Sequence, residues 1–168
     1  MPELQLLRPD HAPALLAFER ENRAYFAASV PDRGDAYFAE FEQRHAALLA
    51  EQATGLCYFH VLVDGDGAVL GRINLIDVTD GEAELGYRIA ASAAGRGLAT
   101  SAVRQVITLA VRDYGLTSLR ATTNLDNPGS RAVLERSGFV PTGELIAHGR
   151  PAMSFVRDLR VGVAGAGG

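Results

Sequence analysis

The chain has 168 residues, a formal net charge of −4, 48% hydrophobic residues and one cysteine, Cys57. This length fits one domain that can bury a core without disulfides. The negative charge, with no block of Lys and Arg, argues against nucleic acid or an anionic membrane as a partner. A single cysteine excludes an intramolecular disulfide and a cysteine-rich metal site. The histidines match no metal-ligand spacing, so we expect no bound metal; they are His11, His45, His60 and His148.

The first ten residues, MPELQLLRPD, do not have the basic start and apolar stretch of a targeting segment. No window of the chain reaches the ~18 apolar residues of a membrane span. We therefore expect a cytoplasmic protein in a reducing environment.

The first third of the chain predicts one strand and two helices. ELQLLR alternates as a strand does, and Pro9-Asp10 opens a helical region that continues to about Ala53 and breaks near SVPDRGD. Aromatic residues cluster on these helices. Two interpretations stay open for them, core packing and the wall of a substrate pocket; the residues are Tyr25, Phe26, Tyr37, Phe38 and Phe41.

From Cys57 onward the pattern changes to three strands joined by glycine-containing turns. The strands are predicted over CYFHVLVD, AVLGRINLIDV and EAELGYRIA. Cys57 alternates with Phe59 and is predicted to be a small core residue rather than a nucleophile. This part of the chain is therefore an antiparallel meander.

The last third predicts a helix, a strand, a short helix and two more strands. The first helix extends over roughly Leu98 to Asp113 and ends at Gly115; its predicted inner stripe is Leu98, Ala102, Val106, Leu109 and Ala110. After this helix we predict a strand over TSLRATTNL, a short helix over NPGSRAVLERSG, and two strands over FVPTGELI and PAMSFVRDL. The predicted class is α+β, with a mixed, mostly antiparallel central sheet flanked by about four helices. We expect a single domain over residues 1–160 and a disordered tail over residues 161–168.

The sequence Ala94-Gly95-Arg96-Gly97-Leu98-Ala99 lies between a strand and a helix. Free backbone N–H groups and the helix dipole at such a place attract phosphate, and Arg96 can add charge. A dinucleotide-binding turn requires a third glycine where Thr100 stands, and the chain has no Gly-Lys-Ser/Thr triplet for a Walker A loop. Both nucleotide motifs therefore fail.

The meander ending in ELGYRIA, the glycine turn, the helix after it and NLDNPGSRAVLERSGF together resemble the GNAT family of acyl-CoA-dependent N-acetyltransferases, in particular its RimJ/RimL-like branch. The family signature Q/R-x-x-G-x-G/A is similar to Ala94, Gly97 and Ala99, with Ala94 where Gln or Arg is usual. The resemblance implies acetyl-CoA as cosubstrate, with its pyrophosphate on the backbone of the turn. It also implies that the strand around Leu85–Ile89 separates from the strand around Ala121–Thr123. The implied cofactor-binding residues are Tyr87, Arg88, Ile89, Ala94, Gly95, Arg96, Gly97, Leu98, Ala99, Thr100, Asn124, Asn127 and Ser130.

The resemblance also suggests catalytic residues. Glu84 is the candidate base for the amine, with Glu82 as the fallback; the alternative is that both are solvated strand charges. Leu134 stands where many GNAT enzymes place a tyrosine acid, so Ser130 becomes a candidate acid. Asn127 and Ser130 are equally explained as helix caps. Two further residues, Arg72 and Asn74, either line an acceptor groove or lie on an exposed strand face.

The implied activity is transfer of an acetyl group from acetyl-CoA to a primary amine by direct attack. We expect a peptide or protein N-terminal α-amine, because its lower pKa demands less of a base than lysine does. The alternatives are a small-molecule amine and a non-catalytic acyl-CoA-binding module. The expected partner is the amine acceptor, with no nucleic acid and no membrane, and a homodimer is left open.

Overall fold

The computed structural model describes residues 2–160, which form one seven-stranded sheet. The predicted tail over residues 161–168 lies outside this range. The strands are β1 (Glu3–Leu6), β2 (Tyr58–Val63), β3 (Val69–Thr79), β4 (Glu82–Ile89), β5 (Ser118–Asn124), β6 (Val140–Ala147) and β7 (Arg150–Asp158). Their order in the sheet is β1-β2-β3-β4-β5-β7-β6. All neighbours are antiparallel except β4 and β5, which are parallel. The predicted α+β class and mixed, mostly antiparallel sheet are confirmed.

Six α-helices occur in the described residues, where about four were predicted. They are α1 (Ala12–Glu21), α2 (Arg23–Ala27), α3 (Asp35–Ala39), α4 (Phe41–Ala53), α5 (Leu98–Arg112) and α6 (Pro128–Arg136). No helix between residues 2 and 160 is long and apolar enough to cross a membrane.

The extra helices arise because each predicted N-terminal helix is divided in two. The divisions fall at Asn22 (φ −106°, ψ 10°) and Glu40 (φ −104°, ψ 18°), where the backbone leaves the helical region. Asn22 donates from Nδ2 to the carbonyl of Phe18 at 2.9 Å and accepts the N–H of Ala91 at 2.9 Å through Oδ1. An asparagine side chain that bonds the backbone in this way competes with helix continuation. It also ties the start of α2 to the segment just after β4.

The two faces of the sheet carry different layers. Ile73 and Leu75 of β3 are fully buried in the cluster that contains the inner side of α5. Arg72, on the opposite face, contacts α1 and α3, so the N-terminal helices cover that side. The predicted stripe of α5 was partly wrong, since Leu98 and Leu109 are only half-buried. The buried residues of α5 are Ala102, Val103, Val106, Ile107 and Ala110.

A slot opens in the middle of the sheet between β4 and β5. The two strands pair only at Glu82 with Ser118, Ala83 with Leu119 and Glu84 with Arg120. Beyond these pairs β4 continues to Ile89 and β5 continues to Asn124, but the two strands no longer pair with each other. The separation of these strands expected from the sequence is therefore confirmed.

Candidate active site

The slot between β4 and β5 leads into two adjoining clefts. The α5 cleft has a volume of about 670 Å³ and is lined by the glycine turn, the start of α5 and part of α6. The β4–β5 cleft has a volume of about 520 Å³ and is lined by β3, β4, β5 and the β6–β7 hairpin. The two clefts share six lining residues: Ser29, Val30, Tyr87, Arg88, Asn127 and Ser130. A ligand can therefore extend from one cleft into the other.

The N-terminus of α5 faces the first cleft without a side-chain cap. Gly97, the N-cap, adopts the left-handed conformation with φ 73°, and Gly95 has φ 77°. The N–H of Ser101 donates to the carbonyl of Gly97 at 3.1 Å and closes the first helical turn. The N–H groups before it, from Leu98 to Thr100, have no partner inside the helix and are directed toward its N-terminal end. This arrangement can bind an anionic group.

The glycines leave open space rather than filling a tight contact. A Cβ atom added to Gly95 or Gly97 would meet no neighbouring atom within 4 Å. What a side chain would cost there is backbone strain and the space in front of the amides. Most of the residues predicted to bind the cofactor line this cleft: Tyr87, Arg88, Ile89, Ala94, Gly95, Gly97, Leu98, Ala99, Thr100, Asn127 and Ser130.

Two residues predicted to bind the cofactor lie elsewhere. The Arg96 guanidinium turns back to the carbonyl of Ser92 at 3.1 Å, and the residue does not line the α5 cleft. Asn124 lines the β4–β5 cleft, where its Nδ2 donates to the carbonyl of Ala147 at 3.1 Å. Asn124 therefore holds the β6–β7 hairpin against β5, and the added charge expected from Arg96 is directed away from the α5 cleft.

The two candidate bases on β4 are separated by the geometry of the slot. Glu84 lines the β4–β5 cleft, and its carboxylate makes no hydrogen bond or ion pair within residues 2–160. Glu82 stands at the paired end of the strands, opposite Ser118, and does not line either cleft. Glu84 is thus the carboxylate available to a ligand in the slot.

A pair of hydroxyl groups marks the junction of the two clefts. The Tyr87 hydroxyl lies 3.0 Å from Oγ of Ser130. Burial raises the pKa of Tyr87 above its usual value, although the hydrogen bond with Ser130 opposes the shift. Oδ1 of Asn127 accepts the backbone N–H of Ser130 at 3.1 Å, which confirms the interpretation of Asn127 as a helix cap. Sequence reasoning placed Tyr87 beside the cofactor but did not find its hydroxyl bond to Ser130.

Leu134 follows Ser130 by one helical turn and is buried, with 1% of its surface exposed. It lines the β4–β5 cleft and packs into the core on the α5 side of the sheet. Because i and i+4 positions of a helix share a face, Leu134 and Ser130 border the same slot. Tyr87, whose hydroxyl lies beside that of Ser130, brings a phenol to the same slot.

The structure separates the two interpretations of the N-terminal aromatic residues. Phe26, Tyr37 and Phe41 are buried in the core under the N-terminal helices, together with Cys57. Burial raises the pKa of the Cys57 thiol to about 11, as expected for a core residue. Tyr25 is 49% exposed and lines the α5 cleft, and the buried ring of Phe26 lines it as well, so these two residues belong to a pocket wall.

Sequence reasoning missed an ionic cluster beneath the β4–β5 cleft. The carboxylate of Glu19, 1% exposed, receives Arg33 at 2.9 Å, Arg72 at 2.8 Å and Arg88 at 3.4 Å. Burial raises the pKa of Glu19, but the guanidinium groups of Arg72 and Arg33 outweigh it, so that the pKa is lower than usual. These residues come from α1, the segment before α3, β3 and β4. The one local signal is that Arg72 and Arg88 lie opposite each other in the β3–β4 register.

Asn74 occupies the same wall of the β4–β5 cleft as Arg72. Its Oδ1 atom is buried and has no hydrogen-bond partner within residues 2–160. Asn74 stands opposite Gly86 in the register of β3 and β4, at the point where β4 has left β5. Buried polar atoms are nearly always paired, so this oxygen is available to a donor on a ligand.

The chain matches a known enzyme family over most of its length. The family described as "Acetyltransferase (GNAT) domain" matches residues 3–140. The chain therefore belongs to the GNAT acetyltransferases. This confirms the family that the meander, glycine turn and helix predicted.

Similar proteins include enzymes named for ribosomal substrates. The "Putative ribosomal N-acetyltransferase YdaF" of Bacillus subtilis (strain 168) is 32% identical over 152 residues, covering 84% of this chain and 79% of its own. The ribosomal-protein-S5-alanine acetyltransferase of Vibrio fischeri superposes with a TM-score of 0.90 at 21% identity, over 95% and 94% of the two chains. These relatives agree with the RimJ/RimL-like resemblance.

A polyamine enzyme shares the fold as well. The spermidine N-acetyltransferase of Vibrio cholerae, solved in complex with CoA and spermine, superposes with a TM-score of 0.78 at 18% identity, over 95% and 96% of the two chains. The same fold therefore occurs in enzymes named for different amine substrates.

Proposed function

We propose that this protein transfers the acetyl group of acetyl-CoA to the N-terminal α-amine of a peptide or protein. The observation that carries the proposal is the joined pair of clefts: free helix N-terminal amides at one end, and an unpaired carboxylate, Glu84, at the other. A reaction between two bound substrates needs such a shared passage.

The residues of the α5 cleft fit acetyl-CoA. Its pyrophosphate binds the free N–H groups at the start of α5, because the helix dipole and unpaired donors favour an anion there. Glycine at positions 95 and 97 leaves the approach to these amides open. The arm with the thioester then extends past the shared wall at Tyr87 and Ser130 into the slot.

The residues around the slot divide the proton transfers between them. Glu84 accepts a proton from the attacking amine, directly or through one water. As the C–N bond forms and the C–S bond breaks, the sulfur leaves as a thiolate that needs a proton. The Tyr87–Ser130 hydroxyl pair is the donor nearest the junction, and proton uptake from Glu84 and solvent restores it.

An α-amine suits this modest set of groups. With a pKa near 8, roughly one α-amine in ten is neutral at pH 7, against about one lysine side chain in a few thousand. Support also comes from the relatives named for ribosomal proteins. The spermidine enzyme of the same fold favours a small-molecule amine as the second candidate.

The test is an acceptor competition with the purified chain at pH 7, read as release of free CoA. The acceptors are a lysine-free tetrapeptide amide with a free N-terminus, the N-acetylated peptide with one lysine, and spermidine. We expect the free N-terminus to give the highest kcat/KM. A higher value for lysine or spermidine overturns the α-amine assignment. Calorimetric binding of acetyl-CoA without transfer to any acceptor identifies a non-catalytic binding module instead.

A further inference from the structure

The wall of the β4–β5 cleft that faces the N-terminal helices carries more positive charge than the chain neutralises. Arg33, Arg72 and Arg88 all line this cleft and all contact one carboxylate, that of Glu19. Within residues 2–160 no other carboxylate pairs with them. Three guanidinium charges on one carboxylate leave an excess of two, because arginine stays protonated in proteins.

Neighbouring acidic residues reduce this excess but do not remove it. Asp32 and Asp35 both pair with Arg23, at 2.8 and 2.9 Å, and the net charge of −1 on these three residues leaves a local excess of one. Glu84 lies on the same face of β4 as Arg88 but four residues away, which is about 13 Å along a strand. The arginine wall and the candidate base are therefore at opposite ends of one cleft.

The cluster is held in place rather than loosely exposed. Arg72 is 5% exposed and also donates to the Tyr37 hydroxyl at 3.1 Å. The guanidinium of Arg33 stacks over Tyr37 at 4.7 Å, and that of Arg88 stacks over Phe26 at 4.9 Å. Arg33 and Arg88 keep 27% and 22% of their side-chain surfaces exposed. Both therefore retain N–H groups that a ligand in the cleft can reach.

The excess charge lines the β4–β5 cleft more than the α5 cleft. Arg33 and Arg72 line the β4–β5 cleft but not the α5 cleft; Arg88 alone borders both. Asn74 lies between the arginines and Glu84. It follows Arg72 by two residues on β3, which is about 7 Å along the strand. Its unpartnered Oδ1 offers a hydrogen-bond acceptor where β4 has left β5, which suits the N–H groups of an amine.

We propose that the acceptor is an amine that carries a carboxylate close by, as in a peptide with an acidic residue next to its free N-terminus. The amine lies near Asn74 and Glu84 while the carboxylate pairs with Arg33 and Arg88. This inference rests on the proposed function, whose substrate it narrows. A polyamine would instead place its cations against the arginine wall.

The experiment uses three peptide amides that differ only at position 2: Ser-Glu-Ala-Gly, Ser-Gln-Ala-Gly and Ser-Arg-Ala-Gly. We expect kcat/KM for the Glu peptide to exceed that for the Gln peptide by about tenfold, the size of one charged hydrogen bond, with the Arg peptide lowest. Equal values, or a preference for Arg, overturn the inference.

Arg33→Gln tests the wall itself. The Glu-to-Gln preference should fall to within about threefold of unity while the calorimetric affinity for acetyl-CoA stays unchanged. Arg23→Gln is the matched control, since Arg23 lies nearby in its own ion pairs and lines neither cleft; it should keep the full preference. A loss of acetyl-CoA affinity in Arg33→Gln with the peptide preference intact assigns the cluster to the cofactor and overturns the inference.

A binding measurement separates this inference from the proposed function. Calorimetric titration of the three peptides into the CoA-saturated protein reports the charge preference without any transfer. If acetyl transfer fails but the Glu peptide still binds about tenfold tighter than the Gln peptide, the activity is wrong and the anion site stands. If transfer occurs and the three peptides bind with equal affinity, the proposed activity stands and the anion site is wrong.

Discussion

Two glutamates on one strand, with the same side chain and nearly the same sequence context, face different surroundings. Glu84 is the last residue of β4 to pair with β5, and its carboxylate borders the cleft; Glu82 lies within the paired region, away from both clefts. A group acts as a base only where it reaches the substrate proton directly or through one water. The two positions therefore form a natural pair for comparison.

Glu84→Gln is expected to lower kcat by about a hundredfold, because the amide keeps the shape but cannot accept the amine proton. The calorimetric affinity for acetyl-CoA should be unchanged, since the base acts on the acceptor. Glu82→Gln is the control and should keep the parent kcat. Loss of activity in Glu82→Gln with full activity in Glu84→Gln would exchange the two roles.

At this scale the sequence could predict some neighbours and not others. Strand alternation in EAELGYRI indicates which residues share a face, and the family resemblance singled out Glu84. The bond between Tyr87 and Ser130, 43 residues apart, depends on how α6 packs beside β4. No local pattern encodes such a distance, and the same holds for the contacts of the three arginines with Glu19, although the hairpin register does pair Arg72 with Arg88.

At the scale of elements, the glycine turn and α5 act as one unit. The turn places Gly97 in a left-handed N-cap, and the free amides that follow face the cleft. The turn-and-helix pattern was readable from the sequence, because glycine spacing and helical periodicity are local. The division between α1 and α2 was not, because it depends on Asn22 bonding to Ala91 across 69 residues.

Gly97→Ala is expected to weaken acetyl-CoA binding on the order of tenfold, because the methyl group occupies space in front of the amides and strains the left-handed backbone. Gly115→Ala is the matched control: Gly115 also has a left-handed backbone, with φ 65°, and open space around its Cβ position, but it follows α5 at the other end. Calorimetry should give the parent affinity for Gly115→Ala. Equal losses in both variants would mean that strain in α5, not the amide site, is responsible.

At the scale of the whole molecule, the sheet separates two cores. The α5 side is bordered by His60, which is 1% exposed. Its Nδ1 lies 3.0 Å from the carbonyl of Ile73 and its Nε2 lies 2.6 Å from the hydroxyl of Tyr114. Burial lowers the pKa of His60 to about 4. His60 is therefore neutral in the folded protein at pH values where the unfolded chain takes up a proton.

The free energy of unfolding should consequently fall as the pH drops from about 6.5 to 4, since the unfolded state binds the extra proton in that window. Between pH 7 and pH 4 the protonation of His60 in the unfolded chain should lower the free energy of unfolding by about 3 kcal/mol. Urea unfolding at several pH values measures it. The parent should lose more stability across this window than His60→Gln, which cannot be protonated there. Parallel curves for the two proteins would contradict the assignment; carboxylates and His11 contribute equally to both.

Three residue pairs are all that join β4 to β5, whereas β5 and β7 are joined by seven. The sheet therefore consists of two parts, β1–β4 and β5–β7, that are joined by one short paired region. Along the chain, α5 connects these two parts. No backbone hydrogen bonds between β4 and β5 hold the slot at a fixed width. We therefore expect its width to depend on how α5 and α6 pack against the two parts of the sheet. Substitutions on the inner sides of those helices can change which acceptors enter while leaving every strand pairing intact.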